Sequence, residues 1–119
     1  MVHGVRLAQG KAEWYRNRFV QTPNITKTAI GSTPDLGDLS NGSGNTHVVT
    51  HAGKILCLEE GHWPWKIDGE LNTIGFENYG GSLTTSMTAH PKICPETGEL
   101  LAFSYFNFEP PYLTYLRIS

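Results

Sequence analysis

Turn residues cut this chain into short apolar runs, and that punctuation constrains its fold more than any other feature. Gln9-Gly10, Ala52-Gly53-Lys54 and Pro95-Glu96-Thr97-Gly98 stand between strand-like runs, and Asp68-Gly69 marks a further turn. Glycine takes the left-handed backbone that tight hairpins need, and proline presets one turn dihedral. Thirteen glycines and seven prolines in 119 residues, with few long helix-forming runs, predict an all-β fold of antiparallel hairpins and long loops. A chain of this size makes one small domain and buries roughly 60 to 70% of its unfolded surface.

The hairpins can be placed in order. Val2 to Leu7 and Ala12 to Thr22 flank the first turn, with Val5 and Leu7 on one strand and Trp14, Arg16 and Arg18 along the other. His3 there packs or faces solvent. Pro23 to Gly44 holds two prolines and no sustained periodicity, so it reads as a long surface loop, with one helical turn in NITKTAIG. NTHVVTH and ILCLEE form the next strand pair. Lys66 to Asn72 is a turn, and Thr73 to Leu83 is a glycine-rich approach to the segment around His90. Leu100 to Phe108 and Tyr112 to Ile118 are strands separated by the bend at Pro110-Pro111, giving about eight strands.

Charge and composition exclude several classes of partner. A net charge of −2 and a pI of about 6.2 leave no electrostatic footprint for nucleic acid or anionic lipid. No apolar run approaches the roughly 20 residues of a membrane span, and the start carries no signal-peptide pattern. Cys57 and Cys94 lack CxxC spacing, which suits a reduced, cytoplasmic setting. The glycosylation triplets at Asn24 and Asn41 carry no weight without secretion.

His90 is the leading candidate for chemistry. Pro91 disfavours helical geometry for the residue before it, so His90 sits in extended backbone at a strand end, before the hairpin turn. A rigid strand end suits a metal ligand, since imidazole must arrive neutral and in one orientation. A satisfied structural histidine is the competing reading. His47 and His51 suggest a chelate, but four residues along a strand separate them by roughly 13 Å, too far for one ion. Glu59 and Glu60 end the strand ILCLEE, and strand parity turns only one of them inward. The aromatics of GHWPW fill the core or line an apolar tunnel. Those of Phe103 to Phe108 are divided between core and cavity in the same way.

TAHPK, followed by a PETGEL turn and an FSY strand, resembles the first iron-ligand segment of the carotenoid cleavage oxygenases. MVHGVRL, KAEWYRNRFVQT, NTHVVTHAGKILCLEEG and PPYLTY match the same family in the same order. The resemblance implies a seven-bladed β-propeller, of which this chain would supply about two blades, cut through at both ends of residues 1–119. It implies Fe(2+) held by four histidines, one of them His90. It makes Glu60 the carboxylate that takes the N–H of an iron-bound imidazole, one contributed by a histidine other than His90. The implied reaction cleaves a carbon–carbon double bond of a carotenoid, apocarotenoid or stilbene with O2 to two carbonyl products. A lipophilic substrate leaves room for peripheral membrane contact by a longer parent chain. The alternative is a small non-catalytic β module that binds a partner through GHWPW.

Overall fold

A computed structural model describes residues 1–26 and 37–119. The expected surface loop from Pro23 to Gly44 lies outside the described residues over 27–36. The helical turn expected in NITKTAIG falls mostly on those residues; just before them the chain forms a short helix, α1 (Pro23–Thr26).

The described residues form nine strands in three antiparallel sheets, so the all-β expectation holds. β1 (Val2–Ala8) pairs with β2 (Lys11–Arg18). β3 (His47–His51), β4 (Lys54–Leu58), β5 (Trp65–Ile67) and β6 (Thr73–Phe76) form a four-stranded meander. β7 (Lys92–Ile93), β8 (Leu100–Ser104) and β9 (Thr114–Ile118) form the third sheet. Strand β6 was read from sequence as a glycine-rich approach, and β8 ends at Ser104 rather than Phe108.

Two-residue turns set the first two registers. Ala8 pairs with Lys11 across Gln9 and Gly10, and His51 with Lys54 across Ala52 and Gly53. All four turn residues have positive φ, between 47° and 76°, the pairing that matches the right-handed twist of the strands. Gly10 and Gly53 adopt it freely, while Gln9 and Ala52 each bear a cost of about 1 kcal/mol. The β5–β6 turn is built differently. The Asp68 carboxylate accepts from the Glu70 N–H at 2.9 Å, the Asn72 N–H at 2.8 Å and the Asn72 side chain at 2.9 Å. Those bonds, from Asn72 first, hold its pKa below the usual carboxylate range.

β4 organises the packing because it is buried on both faces. Leu56 and Leu58 point into a core with Leu83, Met87, Ala89, Leu100 and Ala102, which joins the meander to the third sheet. Cys57, one residue out of phase, points the other way into a core with Val2, Val20, Trp65, Ile67 and Leu71. That core joins the meander to the N-terminal hairpin. The run Ile55-Leu56-Cys57-Leu58 is continuous rather than alternating for this reason.

The outer layers are less covered. In the hairpin, Val5, Leu7 and Tyr15 face solvent. His3 meets the Tyr15 hydroxyl at 2.6 Å across the strands, in keeping with a packing role. Arg16 donates to the Glu70 carboxylate at 2.5 Å and to its carbonyl at 3.1 Å, tying the hairpin to the β5–β6 turn. The third sheet exposes Phe103 and Tyr115 on its outer face, beside Tyr105, Phe106 and Phe108.

Candidate functional site

The segment Met87 to Pro91 crosses from the meander to the third sheet, and its backbone is held at several points. Met87 N–H donates to the His62 carbonyl at 3.3 Å and Thr88 N–H to the Phe103 carbonyl at 2.8 Å. The Thr88 hydroxyl accepts from the His90 N–H at 3.1 Å. Met87, Thr88, Ala89 and Pro91 are buried, and His90 between them is exposed. The chain bends at Ala89, and of these five residues only His90 faces solvent. His90 lies two residues before β7 rather than in a strand, so the expected strand end is a hydrogen-bonded segment leading into one.

Across from it, the chain leaving β4 presents Glu60. Its Oε1 lies 3.1 Å from His90 Nε2, with the imidazole 67% exposed and the carboxylate 25%. In this chain Glu60 and His90 face each other, while the histidine that the resemblance assigns to Glu60 is not among these residues. The ends of two different sheets converge at this point, which strand parity could not reveal. Tyr105 stands near the same carboxylate. Partial desolvation and the neighbouring Glu60 charge both raise the pKa of its phenol.

β4 ends at Leu58, so the expected strand parity does not reach Glu59 and Glu60. Glu59 makes different contacts and is not solvated either. Its Oε1 accepts from the Gly61 N–H at 3.0 Å and meets the buried His62 Nδ1 at 2.5 Å. Gly42 lies against this pair. A Cβ there would come within 2.7 Å of His62 Cβ and 3.2 Å of Glu59 Oε1, so the loop passes this closely only as glycine.

The two histidines of β3 make separate contacts, as their spacing predicted. His47 Nδ1 lies 2.7 Å from the Ala89 carbonyl, and His51 Nε2 lies 3.0 Å from the Gly98 carbonyl. The His47 ring also stacks on His90, with centroids 6.3 Å apart and planes 24° from parallel. Sequence reasoning treated His47 only as half of a rejected chelate and missed this stacking. Among the described residues, no group of three or more His, Cys, Asp or Glu side chains could hold a metal ion. His90 thus offers one imidazole to any ion, and its Nε2 cannot bind a cation while giving a proton to Glu60.

GHWPW belongs mainly to the core. His62, Pro64 and Trp65 are buried, Trp65 donates its indole N–H to the Ser40 carbonyl at 3.1 Å, and Trp63 packs on Leu56 and its neighbours. That burial removes the surface on which the binding-module alternative relied. The two cysteines are free. Burial pushes the Cys57 thiol up to about 11. The Thr97 hydroxyl, with the backbone N–H groups of Thr97 and Glu96, holds Cys94 below the usual thiol value.

Comparison with known proteins identifies the family of the chain. The chain is 37% identical to carotenoid 9,10(9′,10′)-cleavage dioxygenase 1 of Arabidopsis thaliana, over 100% of its own length and 28% of that protein. It is 46% identical to a carotenoid cleavage oxygenase of Mycobacterium tuberculosis, over 88% of its length and 22% of that protein. The crystal structure of lignostilbene dioxygenase from Pseudomonas brassicacearum superposes with a TM-score of 0.80 at 33% identity, covering 98% of this chain and 28% of that one. The chain therefore spans under a third of the length of these relatives. The model of the retinal pigment epithelial membrane protein family matches residues 1–119, and the chain belongs to that family, the carotenoid cleavage oxygenases.

Proposed function

We propose that this chain is one part of a non-haem Fe(II) dioxygenase that cleaves a carbon–carbon double bond of a carotenoid, apocarotenoid or stilbene with O2. The observation that carries this reading is His90, an exposed imidazole on a strut whose neighbours are buried and hydrogen-bonded. A ligand needs that combination, because the ring must reach the ion while its backbone stays fixed. Fe(II), when bound, supplies the electron chemistry that lets O2 react with an alkene.

The chain's own residues have narrower tasks. His90 provides one neutral nitrogen ligand, and further histidines from a longer parent chain complete the set. Glu60 takes the N–H of a histidine in that set, which fixes the tautomer and ring plane. In this chain Glu60 faces His90 Nε2, and an ion held through that nitrogen would replace the contact. Tyr105 stands beside Glu60, and the exposed rings of Phe103 and Phe106 pair with it and suit a polyene or stilbene neighbour. The stacked sheets, with β4 sandwiched between two of them, fit successive blades of a propeller.

Iron content after anaerobic Fe(II) loading tests the proposal. The comparison uses this chain, a parent extended at both ends, and the parent with His90→Ala. The expected result is one iron in the parent, weaker retention in the variant and none in the short chain. Stoichiometric iron in the short chain alone, or unchanged affinity in His90→Ala, overturns it.

A further inference from the structure

We propose that His47 is a positioning residue for His90. The inference rests on the reading of His90 as a metal ligand, and two independent contacts carry it. A carbonyl oxygen can only accept a hydrogen bond, so the 2.7 Å contact with Ala89 places a proton on His47 Nδ1. That bond holds the peptide group immediately before His90. The second contact is a near-parallel pairing of the two rings. With planes 24° from parallel and centroids 6.3 Å apart, the His47 ring limits rotation of the His90 ring on that side.

The rest of β3 gives the arrangement its logic. His51, on the same face of the same strand, holds the Gly98 carbonyl at 3.0 Å. One strand therefore supports both ends of the segment from Ala89 to Gly98, which contains His90 and β7. Only the His47 end touches the His90 ring. His51 is buried and remote from that ring, so it serves as an internal control for a purely structural hydrogen bond of the same type.

Three substitutions in the extended parent separate the two contacts. His47→Phe keeps an aromatic face and loses the N–H donor. His47→Asn keeps a side-chain N–H and loses the ring. His51→Phe removes the matching bond at the far end. The readouts are Fe(II) affinity, measured by competition with a chelator, and the thermal unfolding midpoint of the iron-free protein. Loss of a group that orients a metal ligand typically weakens affinity about 10- to 100-fold.

The expected result is a fall of that size in His47→Phe, a smaller fall in His47→Asn, and unchanged affinity in His51→Phe despite a lower unfolding midpoint. Equal affinity loss in His47→Phe and His51→Phe, tracking their unfolding midpoints, overturns positioning in favour of plain structural support. Unchanged affinity in both His47 variants, with His90→Ala still weakening iron, overturns it too and leaves His90 as a ligand. Unchanged affinity in His90→Ala overturns the ligand reading itself.

Discussion

Glu59 and Glu60 are neighbours in sequence and each meets a histidine, yet the two pairs have little else in common. Glu59 and His62 are 17% and 5% exposed, and the pair closes a turn against Gly42. Glu60 and His90 are 25% and 67% exposed, at the open junction of two sheets. A buried pair has already lost its water, so removing one partner strands the other. An exposed pair exchanges its partner for water at little cost. The same two side-chain types therefore build the fold in one place and remain available to a ligand in the other. Between these extremes stands Glu77, a buried carboxylate 2.7 Å from Lys54, whose side chain is 38% exposed.

If exposure is what separates these pairs, truncation should grade with it. The largest effect is expected for His62→Ala. It leaves Glu59 facing a cavity and should cost about 3 kcal/mol in equilibrium denaturation, whereas a cost near zero would dissolve the contrast. Lys54→Met is expected to cost about 1 kcal/mol at neutral pH, discounted for the exposure of the lysine and for Lys66 at 3.4 Å.

That intermediate pair also has a definite pH dependence. Burial works to raise the Glu77 pKa, but the Lys54 hydrogen bond, the Tyr79 N–H and the charges of Lys54 and Lys66 outweigh it and leave the pKa lowered. A pKa depressed in the folded state contributes stability above the unfolded carboxylate value and loses it as pH falls through the folded value. The cost of Lys54→Met should accordingly shrink in acid, and urea midpoints of both proteins on either side of the carboxylate range would check this. The smallest effect is expected for His90→Ala, within about 0.5 kcal/mol. A larger loss in the same denaturation series would mean that His90 holds the fold and is not held ready by it.

The outcome of reading the sequence divides along the same line. Gln9-Gly10 and Ala52-Gly53 announced their hairpins because the signal is local: two residues of positive φ between strands. β6 was missed because Gly75 weakens its strand signal and its turn is closed by Asp68 side-chain bonds rather than by a two-residue loop. β8 ends early because Asn107 donates to the Pro111 carbonyl at 2.8 Å and folds the aromatic run out of the sheet. His90 and Glu60 could each be singled out by position. Their meeting, and the stacking of His47, depend on how two sheets converge, and no local pattern encodes that. Strand parity did not extend to Glu59 and Glu60, because β4 ends at Leu58, and the histidine that each meets was not legible either.

The burial of β4 on both faces gives the chain a built-in chemical clock. Cys57 lies between the layers with its thiol raised to about 11, while Cys94 lies outside them with its thiol lowered. Alkylating reagents attack the thiolate, so Cys94 reacts from the closed protein and Cys57 reacts only after the layers part. The lag between the two modifications reads out how often the stack around β4 comes open.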